Sequence, residues 1–190
     1  MCGRFTLRTK MNVLVSQFAC ASGIDWPPRF NIAPAQQVLV LRGQRELAAL
    51  RWGFAPRWAK AAQINARAET VAEKPMFRAA FRSRRCLIIA DGYYEWREKM
   101  PRFYEIDGGN PFVFAGLWEQ DTCALLTTAA NPLAAEIHDR MPVILDRSDY
   151  DDWLAGETIP LLPFPSERMS VRQVSTYVNS ARNEGPQCIA

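Results

Sequence analysis

Cys86-Leu87-Ile88-Ile89-Ala90-Asp91-Gly92-Tyr93-Tyr94-Glu95-Trp96 is the stretch that decides the fold. Its first five residues are wholly apolar and too few for a helix, the pattern of a strand covered on both faces. Asp91-Gly92 breaks the run, and residues 93–98 continue it in extended form. Working outward, residues 37–41 and 46–52 read as strands turned at Gly43. Residues 102–106 and 111–117 flank Asp107-Gly108-Gly109-Asn110, a strong hairpin signal. Residues 123–128, 141–145 and 169–174 supply further strands. Met11, Leu14, Val15 and Phe18 recur at helical spacing, so a helix is expected over 8–21, with Thr9 as cap and Gly23 as stop. Further helices are expected over 69–82 on both sides of Pro75, over 131–139, and over 148–155 between a Ser148 cap and Gly156. Three prolines keep residues 26–34 irregular, and residues 53–68 are aromatic and irregular. Seven or eight strands with small peripheral helices make an α+β fold. It is one domain over residues 1–190, built on a mainly antiparallel, barrel-like sheet.

Composition narrows the function. The chain has 190 residues, 48% of them apolar, enough to bury a core without staples. Residues 6–10 are polar where a signal peptide needs an apolar run. No apolar stretch reaches the ~18–20 residues of a membrane helix. A soluble, cytoplasmic protein without a membrane partner is the expectation. Five scattered cysteines without a CxxC argue against a disulfide framework and a zinc ribbon. His138 is the only histidine, which excludes HExxH sites. No metal and no cofactor are expected.

The charge is distributed unevenly. Nineteen of the 23 basic residues are arginine, whose planar fork suits phosphate and stacks on rings. Residues 47–68 contain no acid but interleave Arg51, Arg57, Lys60 and Arg67 with Trp52, Phe54 and Trp58. Residues 74–85 again lack acids and carry Lys74, Arg78, Arg82, Arg84 and Arg85. Cations mixed with aromatics suit a groove for unpaired nucleotides; the same pattern also fits a core with arginines outside it.

Met1-Cys2-Gly3-Arg4-Phe5 adds a reactive group. Removal of Met1 gives Cys2 an α-amine beside its thiol, and such a 1,2-aminothiol closes a thiazolidine on an aldehyde. An α-amine titrates near ~7.7–8.0, so much of it is neutral at cellular pH, unlike a lysine amine near ~10.4. Elsewhere, rare polar groups sit in apolar or turn-forming settings: Asn65 and Arg67 in 64–70, Glu95 in 90–96, and His138 in 137–142. Desolvation between aromatics would raise the Glu95 carboxyl towards a proton-shuttling value. Taken singly, each has a structural explanation: a turn cap, an arginine partner, a surface histidine.

Together these segments resemble the SOS response-associated peptidase (SRAP) family of abasic-site DNA–protein crosslinkers. The resemblance is carried by Met1-Cys2-Gly3-Arg4-Phe5, Asn31-Ile32-Ala33-Pro34, Arg51-Trp52-Gly53, Asn65-Ala66-Arg67-Ala68-Glu69-Thr70, Asp91-Gly92-Tyr93-Tyr94-Glu95-Trp96 and His138-Asp139-Arg140-Met141-Pro142, in family order, ending in Thr176-Tyr177-Val178-Asn179. It implies a monomer that binds single-stranded DNA and joins Cys2 to the aldehyde of an abasic site. It implies an active site of Cys2, Asn65, Glu95 and His138. Arg4, Arg67 and Arg140 would contact phosphate, Trp52 would stack on DNA, and Asn31 and Trp96 would be further DNA contacts. Arg51 departs from the aromatic of many relatives, and the chain is somewhat short for the family. Two other classes remain open: an N-terminal-nucleophile peptidase acting through the Cys2 thiol, and a non-catalytic single-strand-binding module.

Overall fold

The computed structural model describes residues 2–21 and 23–190; Met1, on whose removal the amine chemistry turns, lies outside them. Two sheets share the decisive stretch. Strand β6 (Arg85–Ala90) is buried along its whole length. It belongs to a closed ring in which β10 (Thr122–Ala129), β4 (Glu46–Trp52), β3 (Gln37–Arg42), β6 and β9 (Phe112–Glu119) follow one another and β9 pairs back with β10. Beyond the bend at Asp91, β7 (Gly92–Arg97) enters a second, antiparallel sheet. Its order is β13 (Met169–Gln173), β8 (Met100–Ile106), β7, β1 (Phe5–Leu7) and β2 (Arg29–Ile32). The α+β, barrel-like expectation agrees with this architecture, although thirteen strands stand among the described residues where seven or eight were read.

The barrel closes through a pairing that the sequence does not announce. β4 lies parallel to β10, with Arg51 opposite Thr122 and Trp52 opposite Cys123. Further along β10, β5 (Asn65–Arg67) takes over in the same sense, with Asn65 opposite Leu125 and Arg67 opposite Thr127. The chain between them, residues 53–64, leaves the wall and returns to it. Gly53 starts the excursion at φ 146°, while its N–H donates to the Cys123 carbonyl at 2.8 Å. β11 (Arg140–Pro142) and β12 (Ile144–Leu145) edge the barrel against β10 and β9. They replace the single strand expected over 141–145, because Val143 between them bonds to Leu126 and Ala115 instead.

Asp91, 1% exposed, is the hinge between the sheets. Its carboxylate accepts from the Thr6 hydroxyl (2.6 Å), the Arg8 N–H (2.6 Å) and Nε (3.1 Å), and the Thr9 N–H and hydroxyl (both 2.8 Å). That cluster corrects the first helix. Thr9 serves Asp91 rather than capping, so α1 runs only over Met11–Phe18, and Ala19 in the left-handed region (φ 49°) ends it before Gly23. Of residues 69–82, only the C-terminal part is helical, as α2 (Arg78–Ser83). α3 (Pro132–Ala135) is capped by Asn131, whose Oδ1 accepts from Ala134 N. Ser148 makes no cap: it lies in a 3₁₀ turn before α4 (Tyr150–Ala155), which ends as expected at Gly156 (φ 90°).

The hairpin expected at 107–110 is a correction of another kind. β8 pairs with β7 and β13, whereas β9 pairs with β6, β10 and β12. Asp107, Gly108 and Gly109 do take the positive φ of a tight turn, but the turn carries the chain from one sheet to the other. The tight turn that joins β8 to a paired neighbour is Glu98-Lys99, between Arg97 and Met100.

The inner face of the second sheet packs on the barrel: Phe5 meets Trp52 at 5.1 Å and Phe114 at 5.6 Å between ring centroids. Its outer face, Tyr94 and Phe103, is covered by Val174, Val178 and Cys188 from the C-terminal segment. All five cysteines are buried free thiols. No helix is long and apolar enough to cross a membrane, among the described residues.

Candidate active site

Cys2 lies just ahead of β1 and is fully buried. Its thiol points at the Arg4 carbonyl (3.9 Å). Burial pushes the thiol well above its ordinary value, and the neighbouring Glu95 charge adds to the shift. Such a sulfur is a neutral thiol at pH 7 and a poor thiolate nucleophile. Asn65, brought in by the parallel pairing of β5, donates Nδ2–H to the Cys2 carbonyl at 2.9 Å. The peptide at Cys2 is thereby fixed from across the barrel.

Glu95 projects from β7 and is 6% exposed. Tyr93, two residues earlier on the same strand face, stacks on Tyr104 of β8 at 4.7 Å. Burial raises both phenols, that of Tyr104 to about 12 with the Glu95 charge contributing, so both are neutral. Burial also raises the Glu95 carboxyl; the opposing positive influence of His138 limits the shift, and Asp139 adds to it. His138 follows α3, its N–H bonded to the Ala134 carbonyl. Its Nδ1 accepts the Arg140 N–H at 2.9 Å and lies 2.8 Å from an Asp139 carboxylate oxygen.

Cys2, Asn65, Glu95 and His138, far apart in sequence, thus converge. The raised Glu95 carboxyl makes a stability prediction. A carboxyl whose folded value is raised contributes stability at low pH that is lost as pH rises through the folded value. Glu95→Gln removes the desolvated charge, so thermal melts from pH 5 to 9 should show the variant gaining on the parent as pH rises. A constant difference across that range would contradict the burial of this charge.

At the rim, Arg67 is exposed and joins no ion pair among the described residues. Arg140 is engaged: Nη1 and Nη2 meet the Glu69 carboxylate at 2.6 and 2.8 Å, and Nη2 also donates to the Thr127 carbonyl at 2.7 Å. That pairing holds the Glu69 carboxyl below its usual range against the upward push of burial.

Other expected DNA contacts are placed differently. Trp52 is fully buried, with Nε1–H on the Ile64 carbonyl and its ring against Phe5; no face is open to a base. Asn31 is also fully buried, donating Nδ2–H to the carbonyls of Val178 (3.3 Å), Ser180 (2.9 Å) and Asn183 (2.7 Å) and accepting from Arg4 Nη1 at 2.6 Å. Arg4 donates further to the Val178 carbonyl and lies 5.5 Å from the Trp96 ring. Trp96 is half-buried, its Nε1–H on Asn179 Oδ1. Asn31 and Trp96 thus tie the N-terminal strand to the C-terminal segment.

Among the described residues, Trp58 on the 53–64 excursion is 65% exposed, more open to solvent than Tyr177 at 42%. It borders a cleft of about 490 Å³ shared with Lys60, Asn65, Arg67, Lys74 and Phe77. The acid-free run with Arg57 and Lys60 signalled such a ring; which of its two tryptophans is outside depends on tertiary structure.

A family model described as SOS response associated peptidase (SRAP) matches residues 1–181. The chain belongs to the SRAP family. Among SRAP relatives, "Abasic site processing protein YoqW" of Bacillus subtilis (strain 168) is 38% identical, over 100% of this chain and 99% of that protein. "Abasic site processing protein YedK" of Escherichia coli (strain K12) is 30% identical, over 100% and 99%. A crystal structure of a Bacteroides thetaiotaomicron protein superposes with a TM-score of 0.85 at 23% identity, over 99% of this chain and 98% of that one, a likeness of fold. No group of histidine, cysteine and acidic residues is placed to hold a metal in this SRAP chain, among the described residues.

Proposed function

We propose that this SRAP chain is an abasic site processing protein that crosslinks itself to single-stranded DNA through a thiazolidine on Cys2. The observation that carries the reading is the convergence on Cys2: Asn65 holds its carbonyl, and Glu95 and His138 stand within electrostatic reach of one another beside it. With Met1 removed, the Cys2 amine attacks C1′ of the ring-opened sugar to give a carbinolamine. Glu95, its carboxyl raised, gives a proton to the departing hydroxyl and water leaves. His138 helps open the sugar ring. The thiol then adds to the imine carbon, its proton passing to a nearby base, so aldehyde and aminothiol become thiazolidine plus one water. A neutral thiol suits this order, because the amine is the first nucleophile.

The strand would lie along the cleft, with Arg67 and Lys60 on phosphates and Trp58 on a base. Trp58→Ala should weaken binding by about 1–3 kcal/mol, the usual worth of one stacked base, with the melting temperature unchanged; titration of a fluorescent oligonucleotide reads this. Arg140 would present its guanidinium through the Glu69 pair.

Intact-mass spectrometry with a single-stranded oligonucleotide bearing one abasic site tests the whole reading. The expected product survives denaturation and weighs protein plus DNA minus one water, on chains lacking Met1. Turnover of a peptide without DNA would favour the peptidase reading. Equal, reversible binding of intact and abasic DNA would favour a binding module.

A further inference from the structure

The basic stretch 74–85 divides in the structure. Arg84 pairs with Glu119 at 2.7 Å. Arg85 turns inward: Nε and Nη1 donate to the carbonyls of Phe81 and Glu157, and the guanidinium lies 4.4 Å from the ring centroids of both Phe81 and Trp153. Lys74, Arg78 and Arg82 remain exposed, and none joins an ion pair or side-chain hydrogen bond among the described residues.

These three form a line. The Arg78 N–H bonds to the Lys74 carbonyl at 2.9 Å, so helical spacing begins at Lys74, and α2 continues it to Arg82. Each step of four residues rises about 6 Å and turns by only about 40°. Phe77 and Ala80 on the opposite side are buried, which fixes the cationic face outward. Lys74 lines the cleft with Trp58, Asn65 and Arg67, and the line leads away from there. Like charges four residues apart destabilise a helix, and a merely solvated face usually mixes signs. No acid interrupts residues 74–85. The row therefore carries a repulsion that a polyanion laid along it would relieve.

We infer that Arg78 and Arg82 extend the cleft as a track for the sugar–phosphate backbone of the lesion-bearing strand, past the lesion on one side. The inference rests on the proposed function. Its charge complementarity and its continuity with the cleft through Lys74 point to the same strand rather than to a separate partner.

The test compares the full chain with R78Q/R82Q, measuring binding against salt. The ligands are single-stranded oligonucleotides carrying a tetrahydrofuran abasic analogue, either just long enough to fill the cleft or extended on its 5′ or its 3′ side. With about 0.7 counterions released per phosphate on a single strand, loss of two contacts should lower the log–log salt slope by about 1.4. The drop is expected on one of the two extended ligands and absent on the short one. An unchanged slope on both extended ligands would overturn the track. So would an equal drop on all three. Failure of the parent to crosslink abasic DNA would instead sink the proposed function, which separates the two failures.

Discussion

Cys2→Ala should abolish the denaturation-resistant conjugate. The variant keeps an N-terminal amine after Met1 removal, so an imine with the abasic aldehyde can still form. It has no sulfur to close the ring, and an imine hydrolyses when the protein is denatured. The yield of stable conjugate is therefore expected to fall on the order of a hundredfold or more, since one of the two bonds of the product cannot form. Borohydride should rescue a conjugate from the variant by reducing the imine, and the parent should not need it. DNA affinity should be unaffected, because the thiol is buried and the cleft is lined by other residues. Full conjugate yield from Cys2→Ala without reductant would place the chemistry elsewhere. A chain that retains Met1 should behave like an unreactive protein, its Cys2 nitrogen being an amide.

Asp91→Ala is expected to have the largest effect on stability. The carboxylate is 2% exposed at its side chain and pairs with an Arg8 that is 20% exposed. Its removal strands the Thr9 hydroxyl and two backbone N–H groups, and it takes the closest partner from the Thr6 hydroxyl and one of two carboxylate partners from the Arg8 guanidinium, which keeps Glu105. Breaking a buried ion pair from one side costs about 3–5 kcal/mol, or roughly 6–20 °C in Tm for a chain of this size. Asp91→Asn retains shape and one acceptor oxygen and should lose distinctly less. Asp91 also bonds backbone to backbone with Thr6, in the middle of β1, so the alanine variant should loosen Cys2 against Glu95. Its crosslinking rate should then fall even at temperatures where the rest of the chain remains folded. Equal melting temperatures for Asp91→Ala and the parent would refute the hinge described for this residue.

What was legible in the sequence follows from how local its cause is. β6 announces itself because five apolar residues between a basic pair and Asp-Gly have few alternatives, and β4 was read with its exact bounds for the same reason. β5 was invisible: Asn-Ala-Arg has no period, and only β10 makes it a strand. The 107–110 turn was recognised chemically, but a turn does not specify which strands its neighbours will pair with. Thr9 was assigned to a helix cap because its partner, Asp91, lies 82 residues away. The four candidate site residues were each ambiguous alone; their rarity in apolar surroundings and their resemblance to the family motifs made them stand out. Trp52 and Trp58 are six residues apart in one acid-free run, and the choice between core and surface was made by barrel closure.

The 53–64 excursion has a consequence for how this protein can vary. Both of its ends are clamped to the same strand, at Gly53 on Cys123 and at Asn65 opposite Leu125. A loop with fixed ends can change length cheaply, because each doubling adds only about 0.6 kcal/mol of closure entropy. Residues can thus be inserted or exchanged around Trp58 without moving Asn65 away from Cys2. Under the proposed function the scaffold would hold the Cys2 centre constant while the surroundings of Trp58 vary, so swapping this one segment between homologues is expected to change DNA affinity and leave crosslinking at Cys2 intact.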